Sequence, residues 1–331
     1  MEFPEEKYYR LNYIFLALIG LWPHQNSSIN RIQVVLALLI YLIFIISQLI
    51  KLFTTKYNFD LLLEILSYDF LIMAWTAKYI TFYAIIEDIQ KIRKCVRDNW
   101  SILTDDQEVD IMRKYTDNGK LFTIIIATTT GIATESFALI NAVHAFGMFK
   151  ITSYRIEHML SENDLQAKCI AQKYIIFHHR ITAAVDVHRR AVDLSELLKI
   201  TFGRSYLLVI TIIICSGSIN LFHLFRVITM KQETLEIIKA VSLIFCHFLF
   251  LILGNFAGQE FINYDSYVHQ TICNTEWYNA PLKAQKLILF LLQKTTKTYR
   301  VDAGGIFSPC LEGLVATMSL LFSFFTVLCS I

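Results

Sequence analysis

Six long runs of apolar residues constrain the fold more than any other feature of the sequence. A helix needs about 20 predominantly apolar residues to cross the hydrocarbon core of a bilayer. Runs that approach or exceed this length cover 32–53, 68–86, 121–149, 206–225, 240–258 and 313–331. Only 18% of the residues are charged, against about 25% in an ordinary soluble domain. The sequence therefore predicts an all-α, polytopic membrane protein.

The polar stretches between these runs also carry helical patterns. Segment 11–22 is too short to cross a bilayer, and its Tyr, Trp and Leu content favours a helix in the membrane interface. In 150–204, apolar residues recur every three or four positions, as on a helix with one apolar face. Segment 281–297 has a similar pattern, and Ala303-Gly304-Gly305 then interrupts the chain. Both polar stretches are predicted to form helices outside the lipid.

The distribution of Lys and Arg predicts the orientation in the membrane. Seven basic residues lie between the second and third runs, nine between the third and fourth, and five between the fifth and sixth. Because cytosolic segments carry the basic excess, these segments and the amino terminus are predicted to be cytosolic, and the carboxyl terminus extracellular. A single helix in the third run would contradict this orientation, since one crossing puts its two basic flanks on opposite sides.

The third run, 121–149, has an anomalous length. It is too long for one upright helix and too short for two full spans. Its most polar part is Thr128-Thr129-Thr130-Gly131. We therefore expect a loop and parts of two helices to be missing around Thr130 and Gly131. One tilted helix with a polar middle is the alternative.

Several short motifs are more specific than these patterns. They are Gly20-Leu21-Trp22-Pro23, Phe146-Gly147-Met148-Phe149, Gly254-Asn255-Phe256-Ala257-Gly258-Gln259, Trp277-Tyr278-Asn279-Ala280-Pro281, Ala303-Gly304-Gly305-Ile306-Phe307-Ser308 and Ser323-Phe324-Phe325-Thr326-Val327-Leu328. The chain resembles the insect odorant receptors in these motifs, in the style of the ant, bee and wasp receptors. The resemblance covers nearly the whole sequence and is strongest from Gly254 onward.

The resemblance implies a helical bundle with seven spans in the family, of which six apolar runs are present here. It implies a subunit of a hetero-tetrameric, ligand-gated cation channel that assembles with an obligate co-receptor subunit and binds small volatile odorants. The expected location is the plasma membrane of a sensory neuron's dendrite, in contact with lipid. The expected division is a cytosolic or interfacial amino terminus (1–31), spans 1 and 2 with a shortened span 3/4 region (32–149), a cytosolic extension of the anchor (150–204), spans 5 and 6 (205–258), a cytosolic anchor helix region (259–307) and a pore-lining last span (308–331).

The resemblance also implies roles for residues in the spans. The last span would line the pore, and one of its faces carries Gly313, Ala316, Leu320, Phe324, Val327 and Ile331 at helical spacing. Leu320, Phe324, Val327 and Ile331 are the expected pore and gate residues, where an apolar constriction gates by dewetting. An apolar, aromatic odorant pocket is expected at Ile72, Trp75, Tyr79, Phe137 and Phe245. Packing or lipid contact is the alternative for each set.

The sequence contains few residues that would indicate catalysis, metal binding or nucleic-acid binding. Lys78 lies within the second run, where a charge must pair, face a wet cavity or snorkel. The seven cysteines and His178-His179 lack the spacing of a metal site, and no phosphate-binding loop or catalytic motif is present. We predict no enzyme activity, cofactor or metal. The net charge of +2 gives no basic excess for nucleic acid.

Four alternative functions remain open. A gustatory-type chemoreceptor is the nearest, and a shortened receptor that does not signal is the second. A G-protein-coupled receptor would have the opposite orientation and would expose the glycosylation sequons at Asn26 and Asn99 to the lumen. A transporter would be expected to show repeated halves, which the sequence lacks.

Overall fold

A computed structural model describes residues 9–23, 27–55, 59–103, 105–130, 133–159, 170–230, 233–297 and 299–330. Within these ranges lie ten α-helices: α1 (Arg10–Leu18), α2 (Ser27–Thr54), α3 (Phe59–Ala84), α4 (Ile86–Ser101), α5 (Asp106–Thr130), α6 (Ala133–Glu157), α7 (Ile170–Thr229), α8 (Thr234–Asn274), α9 (Leu282–Thr295) and α10 (Leu311–Ser330). A 3₁₀ turn at Trp277–Asn279 precedes α9. The predicted all-α fold class is confirmed.

The third apolar run forms two helices that lie antiparallel. Helix α5 ends at Thr130 and α6 begins at Ala133, while residues 131–132 lie outside the described ranges. A methyl group at Gly119 would touch Ile140, and one at Gly147 would touch Met112, so the two helices are closely paired. The alternative of a single tilted helix is therefore wrong. The hairpin returns the chain to the side from which it came, which removes the conflict between the two basic flanks.

The apolar part of the hairpin is short. The segment of α5 from Leu121 to Thr130 has ten residues, or about 15 Å at 1.5 Å per residue. The hydrocarbon core is about 30 Å thick, so this apolar segment is long enough for only about half of a span. That a longer segment is missing at this point stays a prediction.

An ion pair joins the two arms of the hairpin at the end opposite its turn. Arg155 on α6 donates from Nη2 to Glu108 Oε2 on α5 at 2.7 Å and from Nη1 to the carbonyl of Ala183 on α7 at 2.9 Å. The side chain of Glu108 is 5% exposed and that of Arg155 is 16% exposed. This buried pair therefore joins α5, α6 and α7.

Substituting Glu108→Gln is expected to lower the free energy of unfolding by about 2 kcal/mol, because Arg155 keeps its charge in a largely buried site. Thermal unfolding of the detergent-solubilised protein measures the change. Asp110→Asn is the matched control, since Asp110 pairs with Arg113 on the exposed face of the same helix and such pairs contribute less than about 1 kcal/mol. Equal effects of the two substitutions would contradict this role for Glu108.

Three of the four charged residues of helix α3 form ion pairs with neighbouring helices, and Asp69 is the fourth. Asp60 Oδ1 accepts from Arg226 Nε on α7 at 2.6 Å, and Glu64 Oε1 accepts from Lys51 Nζ on α2 at 3.2 Å. Lys78 pairs with Glu135 at the start of α6. Pairing lowers the cost of placing these charges in an apolar surrounding. Each of the three pairs joins α3 to a different neighbouring helix.

Helices α7 and α8 each combine an apolar part with a polar part. Helix α7 has 60 residues and is about 90 Å long, so it continues well beyond the bilayer. The predicted boundaries at 204/205 and 258/259 fall inside these two continuous helices. The polar half of α7 and the end of α8 pack with α1, α4, α5, α6 and α9 around one large hydrophobic core. The ring of His188 lies 5.8 Å from that of Phe149 in this core, and burial lowers the pKa of His188 to about 4.

The opposite half of the molecule has a smaller core and an apolar exterior. Its buried cluster contains Ala74, Val209, Phe250, Leu251 and Leu321, whereas Ile40 and Ile43 on α2 are 65% and 64% exposed. An exterior of this kind suits lipid, which offers no hydrophobic penalty to exposed apolar side chains. Four helical segments are long and apolar enough to cross a membrane within the described ranges: Ser28–Thr54, Ile175–Thr229, Thr234–Asn274 and Leu311–Ser330.

Candidate functional site

A wide cavity lies between α3, α7 and α8 in the lipid-facing half of the molecule. It has a volume of about 540 Å³, which lies in the range of about 300–1,000 Å³ typical of small-ligand sites. Its lining is mostly apolar and aromatic: Tyr68, Leu71, Ala74, Trp75, Lys78, Val209, Ile213, Ile238, Lys239, Ser242, Leu243, Cys246, His247 and Phe250. This composition suits a small, largely apolar molecule.

A narrow cavity of about 140 Å³ lies next to the wide one, where α6, α7 and α8 approach the segment before α10. Tyr206 on α7 and Gly254 on α8 line it, together with Pro309 just before α10. The two cavities have Phe250 in common. The ring of Tyr206 stacks on that of Phe250, with 6.1 Å between their centroids.

Lys78, Glu135 and Phe250 form the wall between the two cavities. Lys78 lines the wide cavity and Glu135 lines the narrow one, and their side chains form an ion pair. The Lys78 ammonium also lies 4.2 Å from the centroid of the Phe250 ring, a cation–π contact. The side chain of Lys78 is 7% exposed. Lys78 thus both pairs and faces a cavity, two of the arrangements expected for a lysine at this depth.

His247 is a fixed polar group in the wide cavity. Its Nδ1 lies 2.7 Å from the carbonyl oxygen of Leu243, and its Nε2 lies 2.8 Å from Ser216 Oγ. A carbonyl can only accept a hydrogen bond, so in the neutral ring Nδ1 carries the proton and Nε2 accepts from the serine hydroxyl. Both ring nitrogens are therefore occupied within the protein.

The residues predicted to bind a ligand do not lie together. Trp75 lines the wide cavity, and Ile72 is half-buried one turn away on the same helix. Tyr79 packs towards the amino-terminal helices, where its hydroxyl donates to the carbonyl of Ile19 at 2.6 Å. Phe137 is fully buried against Phe82. Phe245 is 59% exposed on the outer face of α8.

The cavities are formed largely by residues that the aromatic pattern does not single out. Phe250 lines both cavities, Tyr206 lines the narrow one and His247 lines the wide one. Tyr206 and His247 are polar groups within apolar runs, and polar groups in lipid usually face the protein interior. That rule could have identified them, whereas periodicity could not.

Helix α10 packs through one narrow face. Thr317 and Leu321 are buried, Ser218 Oγ donates to the carbonyl of Leu321 at 2.9 Å, and a methyl group at Gly217 would lie 2.7 Å from Leu321 Cδ1. Of the predicted pore residues, Leu320, Phe324 and Val327 are 50%, 49% and 56% exposed. Ile331 lies outside the described residues. The predicted pore face is thus open in the single chain.

The start of α10 is held by side chains of α8. Asn255 Oδ1 accepts from the backbone amide of Cys310 at 3.2 Å, and Gln259 Oε1 accepts from that of Leu311 at 3.3 Å. Asn255 and Gln259 are one helical turn apart, on the same helix that carries Phe250. The first amides of a helix have no partner within it, so α8 supplies two of these partners to α10.

The segment before α10 is a compact turn. Gly304 and Gly305 have φ values of 66° and 73°, in the left-handed region that glycine tolerates best. Asp302 Oδ1 accepts from the Gly305 amide at 3.1 Å, and its other oxygen lies 3.8 Å from Lys199 Nζ. Asp265 Oδ2 accepts from the Tyr299 amide at 2.7 Å, and burial raises the pKa of this carboxyl. Asp302 and Asp265 therefore fix the turn that joins α9 to α10.

Within the described part of the chain, no group of three or more His, Cys, Asp or Glu side chains is arranged to hold a metal ion.

The sequence matches the family described as 7tm odorant receptor over residues 120–322, more than half of the chain. The insect olfactory receptor OR5 from Machilis hrabei in complex with eugenol has a similar structure, with a TM-score of 0.77 and 10% identity over 98% of each chain. The structure of the same receptor described without eugenol gives a TM-score of 0.73 and 11% identity over 96% of each chain. These structural likenesses show a shared fold. No curated protein sequence matches the chain.

Proposed function

The chain belongs to the 7tm odorant receptor family, and we propose that it is the odorant-binding subunit of a heteromeric, ligand-gated cation channel. Helix α8, which connects the wide cavity to helix α10, supports this proposal. Helix α8 lines the cavity with Phe250 and one turn later binds the start of α10 through Asn255. A ligand that shifts α8 therefore acts directly on the base of the proposed pore helix.

The wide cavity suits the ligand class. Its volume of about 540 Å³ accommodates a small volatile molecule, and Trp75 and Phe250 supply aromatic contact area. The OR5 structure from Machilis hrabei holds eugenol, a small aromatic compound. We propose that odorants bind this chain in the wide cavity, with Trp75 as the member of the predicted set that contacts them.

The open face of α10 suits a pore formed by several subunits. Leu320, Phe324 and Val327 lie on the exposed side of a helix whose opposite side contacts α7. Apolar side chains at a constriction exclude water and ions until the pore widens. The co-receptor subunit implied by the family resemblance would supply the remaining walls of a hetero-tetramer.

The proposed orientation places the wide cavity on the extracellular side of the ion pair. With the amino terminus and the basic segments in the cytosol, α8 begins outside at Thr234 and runs inward. Ile238 and Lys239, in its first turns, line the outer end of the wide cavity, and Phe250 lies deeper. The hairpin of α5 and α6 enters from the cytosolic side. In this orientation an odorant reaches the cavity from the outer half of the membrane.

Whole-cell recording from cells that express the full chain with the co-receptor subunit tests this function. Eugenol or acetophenone is expected to evoke an inward cation current that neither subunit produces alone. Trp75→Ala is expected to raise the half-maximal concentration about fivefold, because the ligand loses aromatic contact area. Phe245→Ala is the matched control, since Phe245 faces outward from the same bundle, and it is expected to change the concentration less than twofold.

Three results would count against parts of this proposal. The absence of current from any combination at the cell surface would favour a shortened receptor that does not signal. Equal effects of Trp75→Ala and Phe245→Ala would place the ligand outside the wide cavity. A response that needs G proteins and no cation current would favour the G-protein-coupled alternative.

A further inference from the structure

The ionisable side chains that line the wide cavity are all basic or neutral. Lys78, Lys239 and His247 line it, and no carboxylate belongs to its lining among the described residues. Lys239 lies at the outer end, where its ammonium donates to Glu236 Oε1 at 2.8 Å. Both nitrogens of His247 are occupied by Leu243 and Ser216. Lys78 is therefore the charged residue at the inner end of the cavity that is able to form a hydrogen bond with a ligand.

The Lys78 ammonium is held in place from the side opposite the wide cavity. Glu135 approaches it from the narrow cavity, and the Phe250 ring lies 4.2 Å away. An ammonium group has three N–H donors and no acceptor, so a single carboxylate does not exhaust its donors. Lys78 and Glu135 together are electrically neutral. The Lys78 side chain thus lines the inner end of the wide cavity, where its Nζ atom is buried with donors to spare and belongs to a pair without net charge.

Different ligand classes interact differently with this donor. A hydrocarbon leaves the donor unused. A carboxylate adds a second negative charge to a pair that is already neutral, and an amine brings a positive charge towards the ammonium; both are costly in a low-dielectric site. A neutral oxygen acceptor gains a charge-assisted hydrogen bond and adds no charge.

We infer that the wide cavity selects neutral ligands that carry a carbonyl oxygen, such as ketones, aldehydes and esters, and that Lys78 binds this oxygen. The inference rests on the proposed function and deepens it. The apolar lining contacts the hydrocarbon part of the ligand, and Lys78 is the residue that determines specificity. Glu135 positions the ammonium and keeps the site neutral.

Four probes of nearly equal shape separate these classes: acetophenone, ethylbenzene, benzoate and 1-phenylethylamine. Dissociation constants are measured on the purified full chain in lipid nanodiscs, from the increase in unfolding temperature with probe concentration. Acetophenone is expected to bind at least about tenfold more tightly than ethylbenzene, since a hydrogen bond to a charged group has this magnitude. Benzoate and 1-phenylethylamine are expected to bind more weakly than acetophenone.

The decisive variant is the double substitution Lys78→Met with Glu135→Gln. It removes both charges together, so no uncompensated charge is left in the bundle, and Met keeps most of the volume of the lysine stem. The preference for acetophenone over ethylbenzene is expected to fall to about onefold, while the affinity for ethylbenzene changes less than about threefold. The control is the double substitution Lys51→Met with Glu64→Gln, which removes an ion pair between α2 and α3 that lines neither cavity, and it is expected to keep the full preference.

Three outcomes would overturn the inference. A tenfold preference that persists in the double variant would assign the carbonyl to another group. Equal binding of acetophenone and ethylbenzene by the unaltered chain would leave an odorant site without this selectivity, so the proposed function would stand and the inference would fall. The absence of binding by all four probes would count against the wide cavity as the odorant site and against the inference together.

Discussion

Alanine at position 258 is expected to prevent most of the receptor from reaching the cell surface. Gly258 lies on α8 where the backbone of Pro309 crosses it, and an alanine Cβ would overlap the Pro309 carbonyl group. The backbone there has little freedom to move, because Asn255 and Gln259 of the same helix bind the amides of Cys310 and Leu311. Gly258→Ala is expected to lower surface biotinylation of the co-expressed receptor at least about tenfold, through an overpacked helix contact of several kcal/mol.

Gly254→Ala is the matched control, one helical turn away. There a new Cβ would lie 2.5 Å from the hydroxyl of Tyr206, the far end of a side chain, and not against backbone. Replacing glycine by alanine inside a helix otherwise stabilises it by about 0.5–1 kcal/mol. A smaller loss from Gly254→Ala than from Gly258→Ala is therefore expected. Normal surface levels of Gly258→Ala would show that α8 and the segment before α10 are not in close contact.

Substitution of Asn255 by leucine is expected to separate ligand binding from channel opening. Asn255 is fully buried; its amide donates to the Leu251 carbonyl at 2.8 Å and its oxygen accepts from the Cys310 amide at 3.2 Å. Leucine has a similar size but leaves the Cys310 amide without this partner, at a cost of about 1–3 kcal/mol. We expect the odorant-evoked current per surface receptor to fall about thirtyfold, while the dissociation constant for acetophenone changes less than about twofold.

Asn263→Ala is the control for this experiment. Asn263 lies two turns further along α8 on an exposed face, where its amide donates to Glu260 Oε1 at 2.9 Å and its oxygen accepts from Gln259 Nε2 at 3.0 Å. Gln259 contacts the start of α10 through its other amide atom, Oε1, so the substitution leaves that contact in place. Its current and affinity are expected to match those of the unaltered chain. Equal losses of binding and current in Asn255→Leu would mean that Asn255 maintains the cavity rather than the connection to α10, the proposed pore helix.

The sequence predicted the helices well and the cavity poorly, for a physical reason. In water, burial separates apolar from polar side chains, so periodicity identifies the inner face of a helix. In lipid both faces are apolar. Phe245 and Phe250 lie on the same helix, yet the first is 59% exposed and the second lies between the two cavities. Nothing in the hydropathy pattern distinguishes them.

The positions of the charged residues predicted two features that the hydropathy pattern did not. The basic flanks of the third run indicated that one helix could not account for it, and the structure has its break at the threonine-rich centre between Thr130 and Ala133. The position of Lys78 predicted a partner or a cavity, and both are present. Its partner Glu135 could not be identified from the sequence, because the depth of Glu135 depends on where the hairpin turns.

Labelling of two native cysteines by a membrane-impermeant maleimide tests the proposed orientation of the chain in the membrane. Cys273, at the end of α8, and Cys329, at the end of α10, are both exposed, and the proposed orientation puts them on opposite sides of the membrane. Intact cells that co-express the co-receptor subunit are expected to label at Cys329, with Cys329→Ser removing that signal, and to label at Cys273 only after permeabilisation. Labelling of Cys273 in intact cells, with Cys329 protected until permeabilisation, would reverse the orientation and contradict the channel arrangement.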